Sequence, residues 1–537
     1  MKYLLSVVLL VTSISIAISQ SLSNNGKIVA SDRAEDDWFG YSVSISHDWA
    51  LVSSWFNDTD STSSNLLGNA GAVYFLQKQS NGNWIQKQKV VPSDRAADDY
   101  FGFAIAISGR RAIIGAPNED ENVSGGNFLG KAGSAYIFEL DSNGFWGEVQ
   151  KIVPSDRFEA DQFGYSVAID SNYIVVGAPY QDRDEIGLGY QPDAGAAYIF
   201  ERNSLGVYKQ KKKICAEHRE YGGGFGASVA IDQNTILVGS PYEGTDVDSL
   251  NFLSFSGSAY LFERDTLNKW DYRQKITASA RQTDAIFGRY LDIHGDNLIV
   301  AAPRDSSDEN LANPLREAGA AYLFKRTNGM WSQTQKIAGT YREVQDDFGC
   351  SVSIYEDKAI VGSRHNDTDA NGANSLSNAG VAYLFRRNGT GDWSLDQKFI
   401  PGDRKTDDNF GIGVGIFKNQ IIAGAHGQSY AEPGSKWIDG AGAVYMFVSS
   451  PTGIEDTRHT SIVKCYPNPT RDFVNMQFDK TYSTIKIEVY NLEGKIISEN
   501  GIEDVDHCTL RIPEPTGLYL VRLSLDGQTS MVRVMKE

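Results

Sequence analysis

Phe101-Gly-Phe-Ala-Ile-Ala-Ile107 alternates apolar side chains, Ser108-Gly-Arg110 turns the chain, and Arg111-Ala-Ile-Ile-Gly-Ala-Pro117 returns as a second, more continuously apolar stretch. Period-two alternation bounded by turn residues reads as a pair of strands. A polar stretch follows, and then Gly133-Ser-Ala-Tyr-Ile-Phe-Glu139 supplies a third strand. Beyond the turn at Asp141-Ser-Asn-Gly144, the segment around Trp146 and Gln150-Lys-Ile-Val153 supplies a fourth. The unit recurs along the chain. Phe-Gly pairs stand at Phe39, Phe101, Phe163, Phe225, Phe287, Phe348 and Phe410, 62 residues apart except for the 61 between Phe287 and Phe348. One large aromatic marks each fourth strand, at Trp84, Trp146, Tyr208, Trp270, Trp331 and Trp393. A repeated unit of this kind cannot bury its apolar face alone and must stack on its copies. Seven copies of four antiparallel strands predict an all-β fold, a seven-bladed β-propeller, whose radial repetition leaves only short protected edges.

The seventh copy stops after its third strand, Gly442-Ala-Val-Tyr-Met-Phe-Val448, without the aromatic or the fourth strand. The missing piece stands at the other end, where Lys27-Ile-Val-Ala-Ser-Asp-Arg33 matches Lys151-Ile-Val-Pro-Ser-Asp-Arg157. Residues near 26 to 31 are therefore expected to complete the last blade and close the ring.

At 537 residues the chain exceeds one ordinary core. Hydrophobic residues at 41%, aromatics at 11% and 52 glycines describe a turn-rich β protein. A formal charge of -18 argues against nucleic acid or an anionic membrane as partner, since both require a basic surface. Cations or neutral ligands fit better. Residues 1–19 combine Lys2, an apolar run from Tyr3 to Ile18 and the small residues Ala17 and Ser19, the pattern of a secretory signal cut before Gln20. No other segment is apolar enough to span a bilayer. Four cysteines do not make a disulfide framework. Cys215 and Cys350 read as buried small side chains, Cys465 and Cys508 could pair, and no spacing suggests zinc.

Phe163-Gly-Tyr-Ser-Val-Ala-Ile169 followed by Ile174-Val-Val-Gly-Ala-Pro179 resembles the FG-GAP repeat that builds the seven-bladed propeller of integrin α subunits, over residues 27–450. The resemblance implies the scaffold and little chemistry, because propellers host many activities. Many integrin-type repeats place an Asp-x-Asp-x-Asp-Gly calcium loop between the Phe-Gly strand and the Gly-Ala-Pro strand. Here that connection is a tight turn such as Ser108-Gly-Arg-Arg111 or Asp170-Ser-Asn172, so the family's calcium site is carried over to no copy.

In a four-stranded meander the short 1-2 and 3-4 turns share one face, and the long, acidic 2-3 and 4-1 loops share the other. The second face is the candidate binding surface. Its 2-3 loops carry Asp58 and Asp60, Asp182 and Asp184, and Asp367 and Asp369. These pairs are candidate calcium ligands if backbone carbonyls and water complete a shell of about six to eight oxygens. Capping of turns is the other use of such residues. The 4-1 loops repeat Ser-Asp-Arg at Asp32, Asp94 and Asp156 and carry Gly-Asp-Arg at Asp403, expected to fix the blade junction by an Asp-Arg pair or a turn. The proline of Gly-Ala-Pro stands at 117, 179, 241 and 303 but is replaced by Trp55, Arg364 and His426, in blades that ring closure makes contiguous. With Phe56, His365, Tyr430 and Trp437 these form a candidate ligand patch, suited to a glycan whose sugar faces stack on aromatic rings; relaxed constraint near the array ends is the other reading. Seven scattered histidines, with no nucleophile elbow and no His-Glu-x-x-His, give no catalytic constellation.

After Ser450 the period ends and a polar linker, 451–460, leads to a unit of alternating strands at Ile485–Tyr490, Leu510–Ile512, Gly517–Leu523 and Met531–Val534, expected to be a small β-sandwich. Tyr466-Pro-Asn-Pro469, Val489-Tyr-Asn-Leu-Glu-Gly-Lys495, Thr516-Gly-Leu-Tyr-Leu520 and Val532-Arg-Val-Met-Lys536 resemble the type A C-terminal sorting domain of the type IX secretion system. The resemblance implies a bacterium of the Bacteroidetes group, export through the secretion machinery by way of residues 461–537, and a cargo on the cell surface or in the medium. The expected organisation is a signal over 1–19, the propeller over 20–450, the linker, and the sorting domain over 461–537. A monomeric, non-enzymatic binding or adhesion propeller for an extracellular protein or glycan is the preferred function. A secreted polysaccharide hydrolase using loop carboxylates and a structural surface component are the alternatives.

Overall fold

Each Phe-Gly copy folds as one antiparallel sheet. In blade 2 the strands are Ala104–Ser108, Arg111–Ala116, Ser134–Leu140 and Trp146–Ile152, hydrogen-bonded in that order. The second strand is covered on both faces and is nearly continuous in apolar residues, whereas the outermost alternates buried and exposed. The computed structural model describes residues 26–369, 372–431, 435–449, 463–466, 470, 472–491, 495–512, 517–525 and 528–536. The secretory signal expected over 1–19 and the linker expected over 451–460 lie outside the described residues.

Seven such four-stranded sheets follow one another. The last takes its fourth strand from the other end of the propeller, with Lys27 paired to Tyr445 and Ile28 to Val444. The amides of Asp36 and Trp38 then donate to the carbonyls of Asp439 and Gly440, each at 2.9 Å. The inner strand of the last blade, Val414–Phe417, packs on that of the first, Val43–Ser46.

The Phe-Gly pair is the joint between blades. Phe163 is fully buried, with its ring 5.5 Å from that of Tyr198, and its backbone bridges Gly133 of the blade before. Gly133 holds a φ of 83°, and a Cβ there would overlap the Phe163 carbonyl. A Cβ on Gly115, from Gly-Ala-Pro, would likewise overlap the Gly164 carbonyl. The two motifs are thus two sides of one contact. The single 61-residue interval also has a local cause. The 3-4 hairpin of blade 5 turns on Asn328-Gly329, both at positive φ (52° and 77°), the two-residue turn that suits strand twist. Blade 2 uses a longer turn in which Asp141 Oδ1 accepts the amides of Asn143 and Phe145, both at 2.8 Å.

Ser-Asp-Arg does fix the junction, but not by the expected Asp-Arg pair. Asp94 accepts from Tyr136 Oη at 2.8 Å and Lys151 Nζ at 2.7 Å, both in the blade the chain is entering. Arg95 instead reaches back and donates to the Asp58 carbonyl at 2.9 Å, in the blade being left. The motif staples neighbours because its two charges face opposite ways.

The chain divides after Ser449 into a second compact unit. The small β-sandwich expected there takes the form of one five-stranded antiparallel sheet, with strands Val463–Tyr466, Phe473–Tyr490, Ile496–Arg511, Gly517–Leu525 and Gln528–Lys536. Phe473–Tyr490 pairs with three of the others, and an irregularity in its register between Gln477 and Tyr482 lets so long a strand bend about its own core of Met476, Ile485, Ile487, Val521 and Leu523. Cys508 is a free thiol, so the pair with Cys465 that the sequence allowed is not formed. Met476 is the register partner of both, one on each side, so their Cα atoms are two strand spacings apart, roughly 10 Å and beyond disulfide reach.

Candidate binding site at the channel mouth

Alternation along each inner strand turns the residue after Phe-Gly toward the propeller axis. Reading round the ring these are Tyr41, Phe103, Tyr165, Ala227, Arg289, Cys350 and Ile412. All but Cys350, whose Sγ donates instead to the Gly411 carbonyl of the next blade, surround with their neighbours an axial cavity of about 240 Å³ walled by all seven inner strands. The opposite end of the channel opens into a cavity of about 350 Å³ that includes Asp170, Asp232 and Asp292. There the carboxylates serve the scaffold: Asp170 accepts the Gln233 amide and Asp232 the Gly295 amide, each 2.7 Å away in the next blade.

The mouth on the long-loop face is aromatic. The Trp38 ring lies 5.8 Å from Trp55, 4.7 Å from Phe56 and 4.8 Å from His426. Trp55 stacks on Phe56 at 3.8 Å and meets Tyr100 at 4.8 Å and Phe103 at 5.3 Å edge-on. Phe103 continues the row to Tyr165 at 4.9 Å. Trp55 is buried, while Trp38, Phe56 and Tyr100 keep part of their surface open. Trp38 and Tyr100 hold φ of 54° and 59°, but Gln162, Ile286, Asp347 and Asn409 do the same before their own Phe-Gly, so this strain belongs to the repeat and not to the site.

Three nitrogenous side chains border the rings. Arg289 Nη2 donates to Tyr165 Oη at 3.0 Å, and its guanidinium lies 5.6 Å from the Tyr165 ring and 5.1 Å from that of Tyr290. Arg364 Nε stands 2.7 Å from Asp347 Oδ2. Burial, with the positive Arg364 close by, pushes His426 down to about 3, so its imidazole is neutral at any ordinary pH. Its Nδ1 is enclosed and without a hydrogen-bond partner among the described residues.

Of the patch expected from the lapsed prolines, Trp55, Phe56 and His426 come together in one cluster. Arg364 and His365 border it, each being within electrostatic reach of His426. Tyr430 and Trp437 are not brought into it. The Tyr430 carbonyl accepts Lys27 Nζ at 2.7 Å at the ring closure, and Trp437 is 54% exposed with no ring against it among the described residues. Trp38, Tyr41, Tyr100, Phe103, Tyr165 and Arg289 were not anticipated. The signal available for the inward set was the variability of one repeat position, Tyr, Phe, Tyr, Ala, Arg, Cys, Ile, inside an otherwise regular strand.

The candidate calcium ligands are engaged by their own loops. Asp58, Asp182 and Asp367 each accept an amide eleven residues on, from Asn69, Asp193 and Asn378. Asp60 accepts the amides of Thr62 and Ser64, Asp184 those of Ile186, Leu188 and Gly189, and Asp369 that of Ala373. The turn-capping use accounts for these contacts, and no group of three His, Cys, Asp or Glu suited to a metal occurs among the described residues. Four carboxyls with raised pKa are structural as well. Burial pushes Asp37 up to about 6, Asp99 and Asp408 to about 7 and Asp161 to about 8. Each accepts the amide three residues before it, and Gln181 and Gln428 donate to Asp161 and Asp408 at 2.7 and 3.0 Å. None of the four lines either channel cavity.

A ring of Phe-Gly joints around an axial channel defines a propeller, and the FG-GAP repeat profile matches seven segments, residues 22–76, 84–138, 146–200, 208–262, 270–324, 331–385 and 393–447. The chain belongs to the FG-GAP repeat family. Each matched segment after the first begins on an outermost strand and ends on the third strand of the next blade, the same offset by which Lys27–Ile28 completes the last sheet. The profile of the secretion system C-terminal sorting domain matches residues 464–537. That domain marks the protein for type IX secretion to the cell surface or beyond, and implies contact with the secretion machinery. A comparison with curated proteins gave no match.

Proposed function

We propose that this exported propeller is a binding or adhesion module that engages an extracellular glycan or glycoprotein at the aromatic mouth of its channel. The observation that carries the reading is the part-open cluster of Trp38, Phe56 and Tyr100 over buried Trp55, set on the long-loop face. Aromatic faces offer apolar area at low entropic cost, and neutral His426 adds a polar atom without charge. A cavity of about 240 Å³ is smaller than the roughly 300–1,000 Å³ of drug-sized sites and suits a single ring or chain end.

The test is a glycan and glycoprotein array probed with the exported protein and with the double variant Trp38→Ala, Phe56→Ala. Ligands of the parent protein are expected to weaken by at least about tenfold in the variant, the loss of one to two stacked contacts. Unchanged binding of every ligand by a folded double variant would remove the mouth from consideration.

A further inference from the structure

The axial ring contains one cation whose charge no carboxylate among the described residues balances. Arg289 follows the fifth Phe-Gly pair and reaches across the small Ala227 to Tyr165, two blades away. Of its five N–H donors, one is spent on that phenol, and no carboxylate pairs with the guanidinium among the described residues. Arg364, the other arginine near the mouth, is compensated by Asp347 at 2.7 Å. An unbalanced guanidinium lining an aromatic cavity, in a chain of net charge -18, is a local reversal of the protein's field.

We propose that Arg289 is the anchor for the carboxylate of an acidic sugar at the end of a glycan chain. The inference rests on the glycan reading above and adds the charge and position of the recognised unit. The planar fork of a guanidinium matches a carboxylate with two parallel hydrogen bonds, and enclosure strengthens such charge-assisted bonds. The sugar ring would stand among Tyr41, Phe103 and Tyr165. The acidic 2-3 loops of the same face, with Asp58, Asp60, Asp182 and Asp184, disfavour a chain that is anionic along its length. One acid at a terminus is thereby preferred over a polyanion.

Oligosaccharides ending in glucuronate, galacturonate or a sialic acid, each beside its carboxyl-reduced counterpart, are titrated calorimetrically against the full exported chain. At least one acid is expected to bind, with at least about a tenfold loss on reduction of its carboxyl and a similar loss in Arg289→Gln. Arg289→Lys should recover part of the affinity, and circular dichroism with thermal melting establishes that both variants are folded. Equal binding of acid and reduced forms, abolished by the Trp38, Phe56 double variant, would overturn the anchor while leaving the glycan reading intact. Tighter binding of a sulfated or polyuronate chain would overturn the terminal carboxylate. Binding only of peptides with a free C-terminal carboxylate, or of no sugar at all, would overturn the glycan reading and the anchor together.

Discussion

Lys89, Lys151, Lys213, Lys275, Lys336 and Lys27 hold the same place on six outermost strands, and each is paired with a buried or half-buried carboxylate. Lys398, the seventh, has Tyr341 where blade 1 has Asp32, and Asn366 where blade 5 has Asp305. Its ammonium lies over the rings of Tyr341 and Tyr383, at 4.8 and 5.2 Å, without a hydrogen bond among the described residues, and burial pushes it down to about 8. Tyr341→Asp is expected to raise stability by about 1–2 kcal/mol, a charge-assisted bond less the cation–π contact it replaces, read as a higher denaturation midpoint. Asp32→Ala should do the reverse in blade 1 and cost about 3–5 kcal/mol by stranding Lys89. The buried Asp37, Asp99, Asp161, Asp346 and Asp408 make a second expectation, since burial raises all five, to between about 6 and about 8. The folded state holds these protons more tightly than the unfolded chain, so their contribution is full below the ordinary carboxylate value and is lost as pH rises through 6 to 8. The melting temperature should fall from pH 5 to pH 8.5, and Asp161→Asn should flatten the upper part of that slope. Asp32 works the other way only at lower pH: burial opposes its charge, but hydrogen bonds from Lys89 and Tyr74 outweigh it and hold it low.

At the scale of the element, the four-strand blade was legible because its turns and alternation obey local rules. Gly133 is the sharpest case of a local residue with a non-local cause. Gly133→Ala meets both a left-handed backbone and the Phe163 carbonyl, and is expected to cost about 2–5 kcal/mol in urea unfolding. Gly144, also at positive φ but facing open space, should cost less when changed in the same way, which separates blade docking from backbone strain. The inward residues were harder to read. Strand alternation assigns Tyr41, Phe103, Tyr165 and Arg289 to one side of a strand, but with both sides of the inner strands covered it does not say which side meets the axis. The lapses at Trp55 and His426 were visible because they break a motif; Trp38 and Tyr100 break none.

At the scale of the whole propeller, one seam joins the two ends of the repeat array, where Lys27–Ile28 completes the last sheet. Removing residues 26–31 from the exported chain would free the edge of Ala443–Val448 and leave Asp403 without the lysine it pairs with. The expected outcome is a lower melting temperature and concentration-dependent association in gel filtration, as an unpaired edge seeks another strand. The repeat interval, the missing seventh strand and the motifs of the last 74 residues were enough for the sequence to determine the number of blades, the closing strand and the export route, because each follows from local periodicity or contiguous motifs. Only the tertiary structure decided that Ser-Asp-Arg splits its charges between two blades, that Met476 keeps Cys465 from Cys508, and that Arg289 crosses Ala227 to Tyr165. Those contacts join residues from different repeats or strands, and ring closure and strand register fix their distances while periodicity along the chain does not.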